Sequence, residues 1–127
     1  MGIILDTSAW IEFFQGTEKG KKVLVAMKKE QVFTSIISFA EITNWCYKND
    51  LKENLNQYLR AIKDGSQVLP LHEQVMIVAG KLNYERKKAV DKWGMVDSLI
   101  LATSLNYNLK VLTKDAYFND VPGAEIL

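Results

Sequence analysis

The chain has one cysteine, one histidine and almost no net charge, and each scarcity removes a class of function. Cys46 alone excludes an internal disulfide and a cysteine metal cluster, and it suits a reducing compartment. His72 has no partner histidine with which to build a zinc site. With 16 Lys and Arg against 15 Asp and Glu, the formal charge is +1, so any affinity for nucleic acid must come from a local patch. No apolar run approaches the roughly 20 residues needed to cross a bilayer. The opening Gly2-Ile3-Ile4-Leu5-Asp6 does not read as a signal peptide, and the expected setting is cytoplasmic, with no membrane attachment. No linker, repeat or low-complexity stretch divides the 127 residues, of which 48% are hydrophobic. The expectation is one domain, 1–127, with a core large enough to need no covalent staple.

What is present alternates. Apolar runs at 2–5, 31–34, 67–71 and 110–113 read as strands, and 124–127 reads as a terminal edge strand. Helical patterns fill 7–14, 17–29, 38–48, 51–63, 72–90 and 96–106, with Gly16 and Gly65 as punctuation. In the long segment after His72, the series Val75, Val78, Ala79, Leu82 has helical spacing and is expected to face the sheet. Parallel strands need crossover connections, so strands separated by helices imply an α/β fold. The predicted sheet is mainly parallel, four- to five-stranded, with helices on both faces.

Four acids stand at the edges of these elements. Asp6 closes the first strand, Asp115 follows the fourth, Glu41 opens the helix after the second, and Asp97 opens the helix before the fourth. Open α/β sheets bind ligands at the carboxyl ends of their strands. If the four converge there, their charge calls for a divalent cation, and metal-assisted chemistry on phosphate is its natural use. Each acid also has a structural reading. Asp6 suits a helix N-cap, Ser38-x-x-Glu41 fits a capping box, and Asp115 can open a turn over 115–118. Asp97 is harder to explain that way, because the Ser98-Leu99-Ile100-Leu101-Ala102 that follows it reads as buried helix, where an unpaired carboxylate is costly.

The segments Ile3-Ile4-Leu5-Asp6-Thr7-Ser8, Ser38-Phe39-Ala40-Glu41-Ile42, Val96-Asp97-Ser98-Leu99-Ile100-Leu101-Ala102-Thr103 and Val111-Leu112-Thr113-Lys114-Asp115, with Phe118, resemble the PIN-domain ribonucleases. Within that family the likeness is to the VapC-type toxins of toxin–antitoxin pairs. The resemblance spans essentially the whole chain and implies a three-layer PIN-like fold. It implies a metal-dependent endoribonuclease using Mg²⁺ or Mn²⁺, with Asp6, Glu41, Asp97 and Asp115 as the acidic quartet. Asp6 and Asp97 would be the principal metal ligands. Glu41 would orient or deprotonate the attacking water or bind a second ion, and Asp115 would complete the acidic wall. Many VapC-type chains carry Asn at the last position. Thr7, Ser8 and Thr113 would support ligand geometry from behind. The implied partners are an RNA substrate, a cognate antitoxin and a second copy in a homodimer. The other readings are a solitary PIN nuclease of RNA processing, and a PIN domain that binds RNA or protein without cleaving.

Two acidic folds of similar size fit less well. A receiver domain needs a phospho-acceptor Asp at its third strand, which here ends in Leu69-Pro70-Leu71-His72. A haloacid-dehalogenase-like phosphatase needs a second Asp two residues after the first, where Ser8 stands. Among the basic residues, Arg86-Lys87-Lys88 lies shortly before Asp97 and is the expected contact for substrate phosphates, whereas the lysines of 19–29 form a second cluster. Trp10, Phe13 and Phe14 cannot all enter one core stripe, so some of them are expected to be exposed or covered by a partner.

Overall fold

Ile3 and Leu5 leave the first strand on one side and Ile4 on the other, and the fold is built on that alternation. The computed structural model describes residues 2–127. In chain order it runs β1 (Gly2–Leu5), α1 (Thr7–Gln15), α2 (Glu18–Lys29), β2 (Gln31–Ser35), α3 (Ile37–Lys48), α4 (Leu55–Gly65), β3 (Gln67–Leu69), α5 (Glu73–Arg86), α6 (Met95–Tyr107), β4 (Lys110–Thr113) and β5 (Ala124–Ile126). Single 3₁₀ turns lie at Lys52–Asn54 and Ala116–Phe118. The strands form one sheet in the order β3-β2-β1-β4-β5, and every pairing is parallel.

Both faces of the sheet are covered, as an all-parallel sheet requires. On one face Ile3, Leu5, Val32 and Leu112 pack with Ala9 and Trp10 of α1, Val23 of α2, Ile42 and Cys46 of α3, and Ile62 of α4. On the other, Ile4 and Val111 pack with Ile100 and Leu101 of α6, together with Trp93 and Phe118. Here the structure corrects one expectation. Val75 and Ala79 of α5, with Val78 and Leu82 beside them, lie chiefly on Leu99 and Ala102 of α6, so α5 covers a helix before it covers the sheet.

Other boundaries differ for local reasons. The helix expected over 72–90 ends at Arg86, and residues 87–94 turn so that Trp93 can enter the core. Strand β3 stops at Leu69, ahead of Pro70, which has no N–H to give a ladder. Helix α3 begins at Ile37, and Ile36 at its cap makes no side-chain bond, so Ser38-x-x-Glu41 is not a capping box. At the start of α6 the side chain of Asp97 instead takes the Gly94 N–H, which is one half of such a box.

Helices α1 and α2 meet at a tight corner. Gly16 caps α1 with φ 64° in the left-handed region that glycine occupies at least cost. Gly20 lies against the α1 backbone so closely that a Cβ there would sit 2.1 Å from the carbonyl oxygen of Glu12. The α1 aromatics are covered from within the chain. Trp10 is fully buried and donates from Nε1 to Thr34 Oγ1 at 3.1 Å, and Phe14 stacks on Tyr58 of α4 at 4.3 Å between centroids. Phe13 packs on the same core, and none of the three is exposed.

Candidate active site

Strand order places the site. The chain moves from β1 outward to β2 and β3, then crosses to β4 on the other side of β1, which makes the β1–β4 boundary the switch point. Ligand crevices of open α/β sheets form outside that boundary, at the strands' carboxyl ends. Leu5 pairs with Leu112, so Asp6 and Thr113 emerge side by side, and the Asp6 N–H donates to the Leu112 carbonyl at 3.2 Å.

Asp6 is buried, and both of its carboxylate oxygens are engaged. Oδ1 accepts from Ser8 Oγ at 2.6 Å and from the Ala9 N–H at 3.0 Å, the second of these as the N-cap of α1. Oδ2 accepts from Thr113 Oγ1. Burial pushes the Asp6 carboxyl up to about 6. The bonds from Ser8, Thr113 and Ala9 oppose that rise, and the charge of Asp115 adds to it.

The other acids are held by their own local structure. Asp97 Oδ2 accepts from the Gly94 N–H at 3.0 Å at the start of α6. Burial raises its carboxyl and the Gly94 bond lowers it. Asp115 and then Glu41 raise it further, and Arg86 draws it down. Asp115 opens the 3₁₀ turn, accepting from the Tyr117 N–H at 2.8 Å while its own N–H donates to Thr113 Oγ1 at 2.9 Å. Glu41 Oε1 takes the hydroxyl of Thr7 at 2.5 Å, and Thr7 Oγ1 also lies 3.0 Å from the buried Ser38 Oγ. Thus Asp115 acts on both Asp6 and Asp97, and Glu41 acts on Asp97. The four acids share one electrostatic neighbourhood at this edge.

They do not form a closed cage. Among the described residues, no three acidic, histidine or cysteine side chains stand close enough to hold a metal ion unaided. The donor set nevertheless fits Mg²⁺ or Mn²⁺, which take oxygen ligands and commonly use one or two carboxylates, several waters and substrate phosphate. Asp97 Oδ1, Glu41 Oε2 and Asp115 Oδ2 take no hydrogen bond among the described residues and remain available as donors.

Ser8 and Thr113 donate their hydroxyls to Asp6, and Thr7 donates to Glu41. Ser8 Oγ also accepts the Lys114 N–H at 2.9 Å and lies 3.3 Å from Thr113 Oγ1, which ties the start of α1 to the end of β4. The basic trio is split. Lys87 and Lys88 are exposed, the latter with its ammonium 4.3 Å above the Tyr84 ring. Arg86 instead turns inward to Asp120, Tyr117 and Trp93, so its guanidinium is not free for a substrate phosphate.

Sequence reasoning passes over one ionic contact, between the buried Glu12 and the half-exposed Lys114. Glu12 of α1 accepts from Thr17 Oγ1 at 2.8 Å and from Lys114 Nζ at 3.2 Å. Burial pushes the Glu12 carboxyl up, but Thr17 and Lys114 outweigh it and hold the group below its ordinary value. Its signal was present. Glu12 is the one charge in Thr-Ser-Ala-Trp-Ile-Glu-Phe-Phe-Gln, and the reasoning that singled out Asp97 applies to it equally.

Comparisons with known proteins agree with this architecture. No curated protein sequence matches the chain. Among solved structures, VapBC2 of Rickettsia felis, bound to a DNA fragment from its promoter, matches with a TM-score of 0.78 and 18% identity over 100% of this chain and 98% of that one. VapC20 of Mycobacterium tuberculosis, a toxin that cleaves the sarcin–ricin loop, matches at 0.76 and 14% over 98% of each chain. FitAcB of Neisseria gonorrhoeae matches at 0.70 and 24%, over 98% of this chain and 96% of that one. At such identities the likeness is one of fold. The sequence itself matches the PIN domain over residues 3–124, and the protein belongs to the PIN domain family.

Proposed function

We propose that the protein is a metal-dependent endoribonuclease and the toxin of a toxin–antitoxin pair. The observation that carries this reading is that Thr113 joins two of the acids, donating its hydroxyl to Asp6 and accepting the Asp115 N–H, at the switch-point edge of a PIN-domain sheet. Carboxylates gathered and partly buried there are an arrangement a divalent cation would relieve. Asp6 and Asp97 would hold the principal ion, with Asp115 beside them. A bound Mg²⁺ or Mn²⁺ supplies charge neutralisation at phosphate and acidifies a water. Glu41, held by Thr7, would orient the attacking water or take its proton. Ser8 and Thr113 keep Asp6 in one orientation, and exposed Lys87 and Lys88 meet the substrate's phosphates.

RNA as substrate is supported by the VapC20 fold likeness, and an antitoxin partner by likeness to structures of toxin–antitoxin complexes. The test is cleavage of RNA by purified protein with Mn²⁺ or Mg²⁺. Asp6→Asn and Asp97→Asn should each abolish cleavage and leave the circular dichroism spectrum unchanged. Full activity in either variant, in preparations free of other nucleases, would exclude the mechanism. For the biological role, expression of this chain alone should arrest growth, and the adjoining small gene should relieve the arrest. Absence of such a gene leaves a solitary nuclease. Sedimentation of the purified chain tests the expected homodimer.

A further inference from the structure

We propose that Arg86 is a positioning residue for the acidic edge, clamping the segment that carries Asp115 against the loop and helix start that carry Asp97. The inference rests on reading that edge as the nuclease site. Arg86 ends α5, yet its guanidinium reaches two other parts of the chain. Nη1 and Nη2 bind the two oxygens of Asp120 at 3.1 and 2.9 Å, and Nη2 also donates to the Tyr117 carbonyl at 2.8 Å. Its Cζ lies 4.0 Å from the centre of the Trp93 ring. Trp93 in turn donates from Nε1 to Ser98 Oγ at 2.7 Å, next to Asp97, and packs on Phe118 at 4.8 Å. Tyr117 and Phe118 belong to the turn that Asp115 opens. One planar cation therefore sits between the supports of two acids that are separate in sequence.

Three features argue against a merely stabilising ion pair. The Arg86 side chain is only 15% exposed, and its buried Nε–H finds no acceptor among the described residues. A buried donor without a partner is a net cost. Asp120 is itself largely exposed, and an ion pair with a solvated partner adds little stability. The contact set also depends on shape. A two-pronged grip on Asp120 combined with stacking on Trp93 requires the guanidinium plane, which an ammonium cannot reproduce. Arginine is explained here by what it holds in place.

Purified full-length Arg86→Met, Arg86→Lys and Asp120→Ala variants provide the test, read by three measurements. Amide hydrogen exchange over residues 115–121 should quicken about tenfold in Arg86→Met while the amides of β1 stay protected. Mn²⁺ affinity, followed by the EPR signal of the free ion, should weaken about tenfold, and kcat for RNA should fall about 10- to 100-fold with KM little changed. Arg86→Lys should fail to restore either, and Asp120→Ala should shift all three readouts in the same direction. Unchanged exchange in both Arg86→Met and Asp120→Ala would overturn the clamp. A raised KM at constant kcat would also overturn it, by making Arg86 a direct substrate contact. If the wild-type chain cleaves no RNA under any metal condition, the nuclease reading fails, and the exchange measurement still decides the clamp.

Discussion

Thr7, the first residue of α1, donates its hydroxyl to Glu41 on α3 at 2.5 Å, across 34 positions of sequence. The contact fixes one carboxylate oxygen of Glu41 and leaves the other without a hydrogen bond among the described residues. In the proposed mechanism Glu41 handles the attacking water, so its orientation matters more than its charge alone. Thr7→Val keeps the shape and removes the hydroxyl. It should lower kcat about 10- to 100-fold, the usual effect of losing a group that orients a reacting side chain. Thr7→Ser should restore most of the rate. A Thr7→Val enzyme with wild-type turnover, measured at saturating metal, would remove Thr7 from the mechanism.

The contact between Glu12 and Lys114 predicts a stability effect. The Glu12 carboxyl is held below its ordinary value, so the folded state binds its proton less tightly than the unfolded chain does. Its contribution is therefore present above the unfolded value and is lost as pH falls through the folded one. Glu12→Gln should destabilise the chain by about 1–3 kcal/mol at pH 7, the range for losing charge-assisted bonds. The difference from wild type should narrow as the pH drops below the ordinary carboxylate range. Urea unfolding at pH 7 and pH 3.5 checks both statements.

Asp6 and Asp115 were legible because each follows the end of an apolar strand, a boundary visible in sequence, whereas Glu41, expected to open a helix, stands in the second turn of α3. Asp6 after Ile3-Ile4-Leu5 and Asp115 after Val111-Leu112-Thr113 needed only parallel pairing to become neighbours, and pairing followed from the alternation of strands and helices. Their capping roles were legible for the same reason, and the structure makes Asp6 and Asp115 caps while it brings them to one edge. Contacts set only by tertiary packing were not legible. Arg86 and Asp120 are 34 positions apart with no shared pattern, and Arg86-Lys87-Lys88 reads as one basic patch although only its first member turns inward. Ser38-x-x-Glu41 matched a cap locally, but burial of Ser38 beside Thr7 put both residues to another use.

Gly20 tests whether the α1–α2 corner supports the site. A Cβ there would meet the backbone of α1 at Glu12, and backbone cannot swing aside as a side-chain tip can. Gly20→Ala removes a helix-weakening glycine, which alone would stabilise α2 by about 1 kcal/mol. Overpacking against α1 should outweigh that gain, for a net loss of about 1–3 kcal/mol. The same displacement shifts Glu12, and through it Lys114, so activity should fall together with stability. A thermal unfolding scan showing Gly20→Ala equal to or above wild type would mean that α1 and α2 separate without penalty.

Asp6 gives the reverse pH dependence. Its folded value of about 6 lies above the ordinary 3.8, so between these values the folded state holds a proton that the unfolded chain releases. Stability must then fall as pH rises through that window, by an amount approaching about 3 kcal/mol once Asp6 is ionised in both states. Asp6→Asn removes the penalty and keeps a good N-cap, since asparagine caps as well as aspartate. Without metal, the variant should match wild type near pH 3.5 and exceed it at pH 8. Added Mn²⁺ should raise the stability of the wild-type chain at pH 8, since an ion bound only by the folded state stabilises it. It should leave Asp6→Asn nearly unchanged. Chemical denaturation across pH 3.5–8, with and without Mn²⁺, measures all four arms. A variant less stable than wild type at pH 8 in the absence of metal would show that the buried carboxylate is already compensated within the chain, and the case for a cation at this edge would fall with it.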